Sequence, residues 1–250
     1  VKVRFAGSGD AFGSGGRLQT CIYVEAESVR FLIDCGATAL SGLKRLGIDP
    51  AAIDVIVLSH LHGDHFGGVP FFIIDGQFRR GSRSLTIVGP SGTAARCYAA
   101  MDLMFPGSAG VERRFQTTFI EVTPRMPAPV GALVVTGYEM THPSGAPTLA
   151  LRVECGGRVL AYSADTEWTD TLLEVAGGAD VFVCEAYYFE KRIRYHLDYR
   201  TVEAHRASLN CRRLVLTHMS DDMLGRAQEV QIRGAEMPVV VAEDGLTLTI

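Results

Sequence analysis

Val55-Ile56-Val57-Leu58-Ser59-His60-Leu61-His62-Gly63-Asp64-His65 is the stretch on which the reading of this chain turns. The apolar run Val55–Leu58, closing in Ser59, reads as a buried strand. Four residues able to ligate a metal follow within six positions. Side chains of an extended chain alternate, so His60 and His62 project to one side. Gly63 supplies backbone freedom for a turn that brings Asp64 and His65 to a neighbouring point. Gly67-Gly68 then lets the chain leave toward the next helix. Three imidazoles and a carboxylate suit Zn²⁺, with Mn²⁺ or Fe as alternatives.

Further candidate ligands fall where other strands should end. His142 follows the strand candidate Leu133–Tyr138, Asp165 follows Arg158–Ser163, and His218 follows Arg213–Thr217. Together with the motif they would complete two metal spheres. His60, His62 and His142 would hold one ion, Asp64, His65 and His218 the other, and Asp165 would bridge.

The rest of the chain supports an α/β architecture. Further strand candidates are Lys2–Phe5, Thr20–Glu25, Arg30–Asp34, Leu85–Val88, Thr118–Val122, Thr148–Glu154, Val181–Glu185, Val239–Ala242 and Thr247–Ile250. Helix candidates are Ala37–Leu46, Val69–Arg79, Gly92–Met104, Thr169–Glu174, Thr201–Ser208 and Asp222–Gln231. Leu40, Leu43 and Leu46 give the first of these an apolar stripe. Hairpins come early and strand–helix alternation late, which fits two helix-covered sheets in one domain over 1–250. Residues 105–130, with Pro106, Pro124, Pro127 and Pro129, read as a lid or rim over a site or as a plain surface excursion.

Composition narrows the function classes. The 250 residues are 47% hydrophobic with a net charge of −4, so the chain can bury a core and lacks a global basic field for nucleic acid. Arg outnumbers Lys 21 to three, which leaves local anion sites open. No apolar run is long enough for a transmembrane helix, and Val1–Phe5 reads as a strand and not as a signal peptide. The chain opens without Met, so processing or trimming stays open. The six Cys have no C-x-x-C spacing and read as thiols of a reducing compartment, the cytoplasm.

The order His60-x-His62-x-Asp64-His65, then His142, Asp165 and His218, resembles the binuclear pattern of the metallo-β-lactamase fold superfamily. The Gly7-Ser8-Gly9-Asp10 turn, the strand ending in Asp34-Cys35-Gly36 and the Gly89-Pro90 turn extend the resemblance over nearly the whole chain. It implies an αββα sandwich of two mixed β-sheets flanked by helices, with two divalent metal ions at one edge. Class B β-lactamases in general have no bridging aspartate where Asp165 stands. Glyoxalase II enzymes carry a helical C-terminal extension, whereas the residues after His218 contain two strand candidates. Val183-Cys184-Glu185-Ala186 and His196-Leu197-Asp198 resemble the ribonuclease Z branch. There a Glu-Ala-Thr segment and a His-x-Thr segment place a catalytic histidine. Here Tyr187 and Leu197-Asp198 depart from that pattern. The same residues, with Thr201 and Leu216–Ser220, also resemble the phosphodiesterase that assists carbon–phosphorus lyase. Ribonuclease Z proper has a tRNA-gripping arm between the residues matching His142 and Asp165. Two strand candidates nearly fill that interval here. The resemblance therefore implies a small phosphodiester as substrate, not tRNA, no membrane partner, and a homodimer as in many relatives.

The chemistry expected of this site is attack by a metal-bound hydroxide on phosphorus, with a proton donor for the leaving oxygen. Glu185 would orient His196, and His196 would donate. Asp64 is counted with them among the catalytic residues. Asp34 is a candidate either to fix a ligand histidine or to cap a turn. A lactonase or thioesterase would use the same metals, and a Tyr near them, Tyr187 or Tyr188, would favour acyl substrates. A metal-dependent binding or carrier protein of a biosynthetic pathway is a further alternative. A flavodiiron-type oxidoreductase would need a carboxylate-richer site and a flavodoxin domain.

Overall fold

The structure, a computed structural model, describes residues 1–230 and 237–250. The first sheet contains β1 (Lys2–Gly7), β2 (Cys21–Glu25), β3 (Arg30–Ile33), β4 (Val55–Val57), β5 (Leu85–Gly89) and β6 (Thr117–Glu121). The last strand, β14 (Thr247–Thr249), returns to its edge, giving the order β14-β1-β2-β3-β4-β5-β6. The second sheet contains β7 (Ala128–Val130), β8 (Leu133–Glu139), β9 (Leu149–Cys155), β10 (Arg158–Tyr162), β11 (Val181–Glu185), β12 (Leu214–Thr217) and β13 (Val239–Val241), in the order β13-β12-β11-β10-β9-β8-β7. Both sheets begin as antiparallel meanders and become parallel, from β3 in the first and from β10 in the second. Strand–helix alternation is therefore not confined to the late part of the chain, as the sequence reading had it. A parallel neighbour needs a crossover, and both halves make their crossovers with helices.

Strand periodicity explains the layering. In β3, Phe31 and Ile33 enter a core between the sheets, while Leu32 enters a second core under α1 (Ala39–Arg45), α3 (Val69–Arg79) and α4 (Thr93–Met104). In β11, Val181 and Val183 face the central core, while Phe182 and Cys184 face the core under α5 (Thr171–Ala176), α6 (Tyr199–His205) and α7 (Asp221–Gly225). Strands buried on both faces have little polar alternation, which is why they read as plain apolar runs. Truncating one such side chain, Phe182→Ala, should cost about 3–5 kcal/mol.

The elements largely follow the sequence reading. One strand was not expected: β7 contains Pro129, a residue that argues against a strand. Proline survives there because β7 is an edge. A short helix, α2 (Gly63–Phe66), was also unforeseen. The helix expected at 201–208 begins at Tyr199, because Asp198 caps it by accepting from Thr201 N at 2.9 Å. The helix expected from Asp222 ends at Gly225, and Gln231 lies outside the described residues. Residues 105–130 supply β6 and β7 and so link the sheets. No described helix is long and apolar enough to cross a membrane. All six Cys are unpaired, and only Cys211 is not fully buried.

The carboxyl ends of the parallel strands open on one edge. Ile33, Val57 and Val88 are in register in the first sheet, as are Tyr162 with Val183 and Glu185 with Thr217 in the second. Three non-glycine residues just past these ends are left-handed: Asp34 (φ 56°), Ala164 (φ 54°) and His218 (φ 55°). Such conformations cost about 1–3 kcal/mol each and persist where the surroundings hold them. They lie at the strand ends where the chain leaves the sheet, and Asp34, Asp165 and His218 gather at that edge.

Candidate metal centre

The histidine motif leaves β4 and bends at once. His62 remains extended and stands at the start of α2, so Asp64 and His65 lie on a helical turn. The turn expected at Gly63 is made without a left-handed conformation there; its φ is not positive. The demanding glycines are Gly36 and Gly68. A Cβ on Gly68 would lie 2.2 Å from the Gly36 carbonyl oxygen, and one on Gly36 would lie 2.4 Å from the Asp64 oxygen. The motif can therefore press its backbone against the end of β3.

The residues singled out from the sequence converge in two groups. His60, His62 and His142 form one, and Asp64, His65, Asp165 and His218 form the other; either could hold a metal ion. Asp165 stands between them. Its Oδ2 lies 3.4 Å from His65 Nε2, 3.6 Å from His218 Nε2, and 3.9 Å from both His60 Nε2 and His142 Nε2. Asp64 Oδ2 lies 3.1 Å from His65 Nε2 and 3.2 Å from His218 Nε2.

Hydrogen bonds orient the rings. Asp34 Oδ2 accepts from His65 Nδ1 at 2.7 Å and from Ser59 Oγ at 2.8 Å, while Asp34 Oδ1 accepts from Ser59 N. Because the Ser59 hydroxyl donates to Asp34, its oxygen is left to accept from His60 Nδ1 at 3.0 Å. The Tyr195 carbonyl accepts from His142 Nδ1 at 2.9 Å. Each bond uses the outer nitrogen and turns the lone pair of Nε2 inward, the tautomer a metal ligand needs. His62 Nδ1 and His142 Nε2 face each other at 3.0 Å. The buried His60 Nε2, His65 Nε2 and Asp165 Oδ1 have no hydrogen-bond partner. Buried polar atoms without partners are costly, and here they point to one place. A divalent ion satisfies this donor set, so the residues fit a metal centre.

The electrostatics differ between the groups. Burial first, and then the neighbouring rings, lower the pKa of His60. Burial likewise lowers His62 and His142. For His65 burial works downward too, but the Asp64, Asp165 and Asp34 carboxylates outweigh it and raise the pKa well above normal. Against the same burial, Asp165 and Asp64 raise His218 to about 9. Asp64 and Asp165 are held low by these imidazolium neighbours despite burial.

Glu185 and His196 form a further pair beside the cluster. Glu185 is fully buried and continues the central-facing row of Val181 and Val183. Its Oε2 accepts from His196 Nδ1 at 2.9 Å, and its Oε1 accepts from Leu197 N at 3.3 Å and from Thr166 N. Burial and Asp165 raise the Glu185 pKa; burial lowers His196, but the bond to Glu185 raises it overall. His196 lines a cavity of about 200 Å³ with His62, Asp64, His142, Asp165 and His218. Tyr187 and Phe12 complete its rim, and no residue of 105–130 lines it.

Several contributors had no individual signal in the sequence. Ser59 was read only as the end of a strand. The Tyr195 carbonyl has no residue signature at all. His218 Nδ1 is buried without a hydrogen bond, with Glu185 Oε2 at 3.9 Å. The histidine that Asp34 holds is His65.

Residues 29–219 match the family model described as a beta-lactamase superfamily domain. The chain belongs to the metallo-β-lactamase fold superfamily. Within it, the chain is 26% identical to a ribonuclease Z of Limosilactobacillus fermentum, over 90% of this chain and 90% of that protein. Among solved structures, the short form of human tRNase Z matches with a TM-score of 0.79 at 22% identity, covering 100% of this chain and 99% of that one. A diphosphatase from the PhnP family matches with a TM-score of 0.77 at 19% identity, covering 100% of this chain and 97% of that one. At those identities the two structures speak for the fold. The two sheets and flanking helices are those of metallo-β-lactamase fold proteins, as the motif implied.

Proposed function

We propose that this chain is a binuclear metal-dependent phosphodiesterase acting on a small phosphodiester. His60, His62 and His142 would hold one divalent ion, Asp64, His65 and His218 a second, and Asp165 would bridge them. Zn²⁺ is the first choice for an imidazole-rich set, with Mn²⁺ or Fe as alternatives. Such ions supply Lewis acidity and an activated water near neutral pH. A hydrolase is the reaction class of relatives named ribonuclease Z and diphosphatase. Six unpaired thiols support a cytoplasmic setting.

The observation that carries the phosphodiester reading is the His196–Glu185 pair. His196 lies on the wall of the metal cavity with Nδ1 bound to a buried carboxylate and 4.0 Å from Asp165 Oδ2, which leaves its other nitrogen outside that bond. Hydrolysis of an alkyl phosphodiester must protonate a basic leaving oxygen, and a histidine held in this way can do so. Glu185 fixes the ring and stabilises its charged form. Asp64, beside His65 and His218, would steer the proton of the attacking water. The interval between His142 and Asp165 is short and includes β9 and β10, which supports a small substrate over one gripped by a long tRNA-binding arm.

Tyr187 on the cavity wall favours the acyl alternative, a lactonase or thioesterase. Burial, then Asp10, raises its pKa to about 12, so it would act as a hydrogen-bond donor to a carbonyl. Hydrolysis of bis(p-nitrophenyl) phosphate by Zn²⁺- or Mn²⁺-loaded protein separates the readings. The expected result is metal-dependent turnover that falls by about tenfold or more in His196→Ala, and further for an alkyl leaving group, whose alkoxide is more basic. Protein shown to carry two metals yet inert toward phosphodiesters would establish the acyl reading as the better one, and a lactone panel would follow.

A further inference from the structure

Behind His196 lies a second cavity, of about 320 Å³, larger than the metal cavity. His196 lines both. On the far side the walls include Trp168, His205, Glu167, Arg192 and Ile193. Trp168 and His205 are stacked, with ring centroids 3.8 Å apart and planes 19° apart. Both rings are anchored: Trp168 Nε1 donates to Asp170 Oδ1 at 3.2 Å, and the Thr201 carbonyl accepts from His205 Nδ1 at 2.9 Å. The stack thus holds both rings in place, each with one face against the other and its outer face open to a further ring. Arg192 is 82% exposed, and its ion pair with Asp198 is long, at 3.9 Å. Its guanidinium remains available to a ligand.

We propose that this cavity binds the alcohol that leaves, and that the alcohol carries a planar ring, as a nucleoside does. A proton donor must touch the leaving oxygen, so the group leaving past His196 enters the space that His196 borders on its other side. A wall of Trp168 and His205 takes the ring by stacking. Glu167 accepts from sugar hydroxyls, and Arg192 donates to ring carbonyl or nitrogen atoms. The assignment to the leaving group rests on the phosphodiesterase reading; the ring-binding surface does not.

Trp168 is the single tryptophan of the chain, so its fluorescence reports on this cavity alone. Adenosine added to the metal-loaded protein should change that fluorescence saturably, and ribose should not. His205→Ala should weaken adenosine binding by about fivefold or more. In steady-state kinetics with adenylyl-(3′→5′)-adenosine, Trp168→Ala should raise KM by about fivefold or more with kcat changed less than about twofold. A merely structural tryptophan would lower kcat as well. No saturable response to adenosine, or an unchanged KM in Trp168→Ala, overturns the inference. Adenosine binding sensitive to His205→Ala, in protein that hydrolyses no phosphodiester, removes the reaction and the leaving-group role while the ring site stands.

Discussion

The two ligand groups share one edge of the sandwich but differ in charge. His60, His62 and His142 contain no carboxylate, and burial drives their pKa values down. They are neutral at physiological pH and present lone pairs at once. Asp64, His65, Asp165 and His218 form an ionised network in the metal-free protein, with His218 raised to about 9. A cation entering there must displace protons, but it meets two carboxylates. The difference shows how one fold edge can offer two unequal sites. The trio is held by hydrogen bonds alone, whereas the quartet is held by charge as well as by hydrogen bonds. Asp34 touches both, His65 directly and His60 through Ser59.

Asp165→Ala should have the largest effect, because it removes the carboxylate that lies within 3.9 Å of four ligand histidines. Loss of the carboxylate proposed to bridge should exceed the 10–100-fold typical of an outer partner, so activity should fall by more than about a hundredfold. Metal content, measured by plasma mass spectrometry after desalting, should drop from two ions toward one. Two ions retained at full occupancy would show that the groups do not depend on a shared carboxylate.

Asp34→Ala comes next and tests whether one residue supports both groups. It strands Ser59 N, Ser59 Oγ and His65 Nδ1 in a buried site. Unsatisfied buried groups cost about 1–3 kcal/mol each, so a marked drop in Tm is expected. Metal affinity of the quartet should fall about 10–100-fold through the freed His65 ring. Asp34→Asn should restore much of the stability, since it fills the same space and keeps an acceptor for one of the donors. If the affinity loss persists there while Tm recovers, the carboxylate acts on the metal site and not only on the fold. Equal recovery of both would make Asp34 a structural cap.

The legibility of the site in the sequence follows the same division. Four candidate ligands lie in one stretch after a strand, and their spacing alone indicates convergence. His142, Asp165 and His218 are single residues at three strand ends; that position made them candidates, and the order they share with a known family strengthened the link to the motif. Glu185 and His196 were legible through the family resemblance, carried by Val183–Ala186 and His196–Asp198, and the structure adds that Glu185 continues the inward row of Val181 and Val183. The Trp168–His205 stack was not, since the two rings are far apart in sequence and neither has a motif. The strands were readable because both faces are buried, which leaves unbroken apolar runs. β7 was hidden by Pro129, and α2 by the expectation of an extended turn at Gly63. Backbone groups such as the Tyr195 carbonyl have no identity in a sequence, so the fixed tautomer of His142 is visible only in three dimensions.

Ser59→Ala gives the smallest expected effect and the sharpest test of the contrast. The variant deletes one hydroxyl, and with it one bond to Asp34 and the acceptor for His60 Nδ1. Asp34 keeps His65 and the Ser59 backbone, so the quartet is untouched. Stability should fall by about 1 kcal/mol. His60 becomes free to place its proton on Nε2, the atom aimed at the metal, so affinity of the trio should fall by about tenfold. Titration against a chromophoric chelator can resolve two binding steps, and one step alone should weaken. Equal weakening of both would mean that the hydrogen-bonded trio and the charged quartet bind as one unit, and the difference in their pKa values would then have no consequence for metal binding.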